Sequence, residues 1–186
     1  ICTVLCDGLG GHDAGEVASK CVCDSVTAAF EKAPEGADIG ELVCELLQNA
    51  QDELMKMQIE LDKQNGMKTT ACCLLIQDGK TAAAYVGDSR IYQFRKNKVL
   101  LRSSDHSIPQ YLVNIGEIKE RDIRHHPDRN KLLRVMGSEW ETPRYQRLQN
   151  GAGDGGFAAA AVGTGQHQPG HSSLPVSYTH LRAHET

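Results

Sequence analysis

The sequence predicts an α+β layered domain, and three observations predict it. An apolar stretch at residues 2–6 leads into two helical patterns. A meander of short apolar segments, punctuated by Gly and Asp, follows at residues 70–101. Further short helical patterns come after it. Strand, two helices, a run of strands, then helices is the order of a layered α+β fold.

Each element has a local reason. Residues 2–6 are apolar and stop at the Gly-rich turn DGLGG. A helix is predicted over residues 14–30, with Asp13 and Glu16 spaced as a cap and its reciprocal partner. A second is predicted over residues 39–63. There Ile39, Leu42, Val43, Leu46, Leu47, Ala50, Leu54, Met57 and Leu61 keep the three-four spacing of one buried face. Asp38 caps its start, and Asn65-Gly66 is expected to end it with a left-handed residue. Residues 70–76 are almost continuously apolar, as in a strand covered on both faces. Asp78-Gly79 turns the chain into a strand over 81–86, and Gly87-Asp88-Ser89 turns it again into 90–94, with a short strand expected at 99–101. Asp105 or Ser107 caps a helix over 109–115, where Pro109 fits the first turn. After the charged loop KERDIRHHPDRN, a last short helix is expected over 131–136, closed by Gly137.

Composition narrows the function classes. The 186 residues suffice for one domain, or one domain plus a tail. With 40% hydrophobic and 24% charged residues, a packed core is expected rather than wholesale disorder. Apolar runs are too short and interrupted for a spanning helix, so no membrane is expected. A net charge of −4 without a basic patch argues against nucleic acid. No basic segment followed by an apolar one opens the chain, and ICTVLC reads like the middle of a strand, so a missing N-terminus is expected. The seven cysteines form no CxxC pair; small buried apolar residues in a reducing cytoplasm explain them better than zinc or disulfides.

Domain organisation follows from a change of character. Residues 1–148 are locally consistent and are expected to form a partial domain; residues 149–186 are expected to be an unstructured tail. Within 151–170, seven residues are Gly and five are Ala, which offers no apolar face to bury. Residues 149–175 read as a frame-shifted segment. Residues 176–186, VSYTHLRAHET, match the in-frame translation of a transposase sequencing adaptor.

Two motifs carry chemistry. In DGLGGHDAGE, Asp7 stands where a strand ends, and the glycines allow a tight turn that exposes carbonyls. A carboxylate there can hold a hard cation through oxygen, although a plain strand-to-helix turn also explains it. GDSR at 87–90 reads equally as a hairpin turn. Both Asp7 and Asp88 terminate apolar strands, so both can project from one sheet end and make an oxygen-rich cation site. An acid–base pair is the rival reading. His125 and His126 read best as part of a solvated loop.

Taken together, the motifs resemble the PPM family of metal-dependent serine/threonine protein phosphatases, the protein phosphatase 2C type, in its bacterial form. The resemblance rests on VLCDGLGGHDAGEVAS (4–19), MKTTAC (67–72), YVGDSRIYQF (85–94), SSDHSIPQYLVNIGEI (103–118) and IRHHPDRNKLLRVMG (123–137), in family order. It implies a four-layer α-β-β-α sandwich of two antiparallel sheets flanked by helices, here incomplete at both ends. Asp7 matches the bridging metal carboxylate and Gly8 a metal-binding carbonyl. Asp88 matches an acidic residue tied to a third, looser metal. His12 matches the general acid for the leaving oxygen. Asp105, His106 and Ser107 match a structural signature, and residues 107–127 a flap beside the site.

The resemblance further implies two Mn2+ or Mg2+ ions, three at most, about 4 Å apart, activating a water that attacks phosphorus in line. The expected function of the parent gene is hydrolysis of phosphoserine and phosphothreonine in cytoplasmic proteins, opposing a serine/threonine kinase, by a monomeric enzyme. The family's acidic residues before Asp7, its Ser-Asp-Gly strand and its later Asp-Asn pair are missing from this sequence. The chain itself is therefore expected to be an inactive fragment. The alternative is a non-catalytic phosphatase-like binding or regulatory module.

Overall fold

The computed structural model describes residues 1–10, 14–64, 66–140, 146–150 and 158–162. Nine strands and three α-helices are formed among them: β1 (Cys2–Leu5), β2 (Gly8–Leu9), α1 (Ala14–Glu31), α2 (Ile39–Glu60), β3 (Lys68–Thr69), β4 (Ala71–Gln77), β5 (Lys80–Val86), β6 (Arg90–Arg95), β7 (Lys98–Arg102), α3 (Ile108–Asn114), β8 (Gln146–Asn150) and β9 (Ala158–Val162). A 3-10 segment spans Glu120–His125.

The strands make a four-stranded sheet in the order β1-β4-β5-β8, a three-stranded sheet β7-β6-β9 and a two-stranded ribbon β2-β3, with antiparallel pairing throughout. Alternation along β4 and β5 sorts the side chains onto two faces. Ala71, Cys73, Leu75, Ala82, Ala84 and Val86 face the core shared with Val22, Val26, Leu46, Leu47 and Leu54 of α1 and α2. Leu5, Cys72, Leu74, Ala83 and Tyr85 face the other way and pack with Ile91 of β6. Helix, sheet and sheet are thus stacked in the order an α+β sandwich requires.

Turn chemistry sets the registers. Asp78 and Gly79 have φ of 50° and 71°, and Lys96 and Asn97 have φ of 47° and 60°. Left-handed pairs of this kind match the twist of the two-residue hairpins β4–β5 and β6–β7. Asp38 caps α2 as expected, its Oδ1 accepting from Gly40 N–H at 2.9 Å and Glu41 N–H at 3.0 Å.

Three expectations need correction. First, α2 stops at Glu60 rather than near residue 63. Asp62 takes the left-handed position (φ 52°), and Lys63 N–H reaches back to the Gln58 carbonyl at 2.9 Å. This is a Schellman closure, made three residues before the Asn65-Gly66 pair.

Second, residues 131–136 are not helical. Leu133 N–H donates to the His106 carbonyl at 2.8 Å and Met136 N–H to the Thr69 carbonyl at 2.8 Å, so the stretch lies extended. Two α2 glutamines hold its end: Gly137 N–H donates to Gln51 Oε1 at 2.8 Å, and Gln58 Nε2 donates to the Gly137 and Met67 carbonyls at 2.8 and 2.6 Å. These buried bonds satisfy backbone groups that a helix would otherwise pair, and tertiary contacts override the local period.

Third, residue 148 is not where sheet pairing ends. Gln149 and Asn150 pair with Ala82 and Thr81, and Ala158–Val162 pairs with Arg90–Phe94. A ladder is made of backbone groups, so a segment poor in large apolar side chains can still join an open edge. The segments assigned to a shifted frame and an adaptor otherwise lie outside the described residues.

Candidate active site

The register brings Asp7 and Asp88 to one end of the four-stranded sheet. Cys72 of β4 stands opposite Leu5 of β1 on one side and Tyr85 of β5 on the other. Both neighbours run antiparallel to β4, so β1 and β5 run parallel and deliver their C-terminal turns together. Asp7 follows β1 and Asp88 follows β5, and both are half-buried.

Each turn is fixed by its backbone. The Asp7 N–H donates to Thr70 Oγ1 at 3.1 Å, and its carbonyl accepts from Thr70 N–H at 2.9 Å and Thr69 Oγ1 at 3.0 Å. Gly8 lies against the first turn of α1: a Cβ there would sit 2.2 Å from the Gly15 carbonyl oxygen. Gly87 has φ +104°, a conformation that favours glycine, and a Cβ on it would lie 2.6 Å from Thr70 Cγ2.

The segment 103–107 braces the Asp88 turn. His106 N–H donates to the Gly87 carbonyl at 2.9 Å, while its ring Nδ1 accepts the Gly87 N–H at 3.1 Å. The ring stacks on Tyr85, with centroids 5.2 Å apart. Asp105 does not cap α3; it receives a two-point ion pair from Arg90, with the Nε contact at 2.7 Å. Ser107 is the cap, accepting the Gln110 N–H. Local sequence patterns do not reveal these roles of Thr70, His106 and Arg90. Their only signal was position: a polar pair before an apolar strand, and a short motif before a helix.

Burial raises the Asp7 carboxyl above its ordinary pKa. The folded chain then holds that proton more firmly than the unfolded chain, so ionised Asp7 weakens the metal-free fold near neutrality. That penalty fades once pH drops below the carboxylate range. Asp7→Asn is therefore expected to raise the metal-free thermal midpoint at about pH 7 and to leave it unchanged at about pH 3. Calorimetry at the two values checks the sign; an Asn variant less stable at neutral pH would contradict it.

The donors suit a hard cation. Two carboxylates and the Gly8 carbonyl are oxygen ligands of the kind magnesium and manganese take, and a cation beside Asp7 would reverse its desolvation penalty. Among the described residues, no three His, Cys, Asp or Glu side chains converge on one point. Cys6 and Cys72, the thiols next to the two turns, are held away from the thiolate form. Burial, with the Asp88 charge second, pushes Cys72 up to about 12, and the contact with Cys23, with burial second, raises Cys6. His12 lies outside the described residues. His125, which ends the 3-10 segment rather than lying in a loop, is exposed, and His126 just after it is partly so, its Nδ1 accepting the Asp128 N–H at 3.1 Å; the solvated setting is as expected.

A family model described as Protein phosphatase 2C matches residues 1–160. The chain belongs to the protein phosphatase 2C family. The serine/threonine phosphatase stp of Listeria welshimeri is 32% identical over 140 residues, which cover 73% of this chain and 55% of that protein. The crystal structure of a bacterial serine phosphatase superposes with a TM-score of 0.71 at 33% identity, over 80% of this chain and 60% of that one. The catalytic domain of the serine/threonine phosphatase PstP, solved in complex with two manganese ions, gives 0.65 at 25% identity, over 80% of this chain and 61% of that one. The chain thus spans about half the length of the curated Listeria relative it matches. The sandwich expected from the sequence is the fold of these phosphatases.

Proposed function

We propose that this chain is the N-terminal and central part of a metal-dependent enzyme that hydrolyses phosphoserine and phosphothreonine in cytoplasmic proteins, opposing a serine/threonine kinase. The observation that carries the reading is the delivery of Asp7 and Asp88 to one sheet end, in a chain whose residues 1–160 match the Protein phosphatase 2C model. No helix among the described residues is long and apolar enough to cross a membrane.

Asp7, the Gly8 carbonyl and Asp88 would hold Mn2+ or Mg2+. When bound, the ions supply charge neutralisation for the phosphoryl group and a water acidic enough to attack phosphorus. The β1 and β5 turns orient the carboxylates, and the half-buried setting of Asp7 limits competing water. His12 gives its proton to the departing serine or threonine oxygen as the P–O bond breaks. No side chain needs to carry the phosphoryl group. Residues 149–175 are read as a shifted frame and 176–186 as a translated adaptor, which the parent nucleotide sequence checks.

The test is phosphate release from a phosphothreonine peptide with manganese. It uses this chain beside a form extended to its relatives' length. The extended form is expected to turn over and residues 1–186 alone are not, because two carboxylates offset the charge and hydration of one ion at best and the attack on phosphorus needs two. Turnover by the short chain that Asp7→Ala removes would overturn its inactivity. An extended form that binds phosphopeptide without turnover would favour the non-catalytic module.

A further inference from the structure

Thr70 joins the two carboxylate-bearing turns. It is fully buried at the head of β4, between the ends of β1 and β5. Its Oγ1 accepts the Asp7 N–H at 3.1 Å and lies 2.7 Å from Ser89 Oγ. Its own N–H donates to the Asp7 carbonyl at 2.9 Å, and its Cγ2 fills the space where a Cβ on Gly87 would stand. A hydroxyl has one proton and two lone pairs. One lone pair takes the Asp7 amide, and the remaining capacity serves Ser89, next to Asp88. The methyl meets Gly87, on the other side of Asp88. One side chain therefore touches both turns with different groups.

We propose that Thr70 is a positioning residue for the metal-binding carboxylates, its hydroxyl fixing the Asp7 turn against the Asp88 turn so that divalent cations find both in place. The proposal rests on the reading of Asp7 and Asp88 as metal ligands. Valine at 70 keeps the methyl and the bulk but removes the hydroxyl, leaving the Asp7 N–H without its acceptor. Serine keeps the hydroxyl and loses only the methyl. Groups that orient ligands without touching metal typically matter by 10- to 100-fold in affinity, roughly. A residue serving only the core would follow bulk, and serine would then fare worse than valine.

The test uses residues 1–186, with free aqueous Mn2+ followed by electron paramagnetic resonance and the Asp7 amide followed by metal-free hydrogen exchange. Thr70→Val is expected to speed Asp7 exchange and weaken manganese binding about ten-fold or more. Thr70→Ser is expected to restore both close to the wild type. Should the valine variant fail to fold, Ser89→Ala interrupts the same chain of bonds from its other end and is held to the same criterion. Wild-type affinity in the valine variant, or a serine variant as weak as valine, overturns the proposal while Asp7→Asn still loses manganese. An Asp7→Asn chain that binds manganese like the wild type, or a wild-type chain that takes up none, overturns the ligand reading and this proposal with it.

Discussion

Asp7→Asn, in a form extended to the relatives' length, is expected to abolish manganese-dependent hydrolysis of a phosphothreonine peptide. Asparagine keeps the shape of the side chain and loses its charge. The bonds that fix the β1 turn use the Asp7 backbone, at 3.1 Å to Thr70 Oγ1 and 2.9 Å from Thr70 N–H, so the turn survives the change. What is lost is a ligand charge, and with it the means of holding cations beside the phosphoryl group. His12→Ala is expected to behave differently. Metal affinity stays at its original value while kcat falls roughly 100- to 10,000-fold, most for substrates with poor leaving groups. Steady-state assays with a phosphothreonine peptide and an aryl phosphate separate the two. Near-normal turnover in the Asn variant would remove Asp7 from the site.

Gly8→Ala is expected to give a large loss of stability from a single methyl. The added Cβ would stand 2.2 Å from the Gly15 carbonyl oxygen, and the reciprocal Cβ on Gly15 would stand 2.8 Å from the Leu9 carbonyl oxygen. Both obstacles are backbone, so no rotamer change relieves them. Relief requires moving β2 or the first turn of α1, and β2 is held by its ladder to β3. The expected cost is at or above the upper end of the ~1–3 kcal/mol seen for overpacked sites. That corresponds to a thermal midpoint lower by roughly 6–12 °C for a chain of this size. An unchanged midpoint would mean that the two backbones do not approach this closely.

The sequence was legible where one local rule and the tertiary structure agree. The three-four pattern of Leu42, Leu46 and Leu54, the cap at Asp38 and the turn at Asp78-Gly79 all appear as read. That Asp7 and Asp88 share one sheet end was legible because each follows an apolar strand. The rest depends on partners distant in the chain. Residues 131–136 carry a helical pattern but are drawn straight by Thr69 and His106. Asp105 looks like a cap and is taken by Arg90 instead. The strands at 146–150 and 158–162 add to edges that no composition argument reveals. Thr70 shows the same limit, since its hydroxyl has meaning only once Asp7 and Ser89 are side by side.

The placement of β1 at the rim of its sheet has a consequence for the order in which the chain assembles. Thr70 and Ser89 are 19 positions apart, whereas Asp7 and Thr70 are 63 apart, with both long helices between them. Closing the longer loop costs about 1 kcal/mol more in chain entropy, and contacts of that span form late. The β4–β5 and β6–β7 hairpins therefore have time to form the Asp88 side of the site first. Asp7, although synthesised before Asp88, reaches its place only when β1 finally docks. Pulse-labelled refolding checks the sequence of events: amides of β4 and β5 are expected to become protected before those of β1, and the reverse order would refute it. A carboxylate that arrives last leaves the nascent chain without a complete site until its sheet is closed.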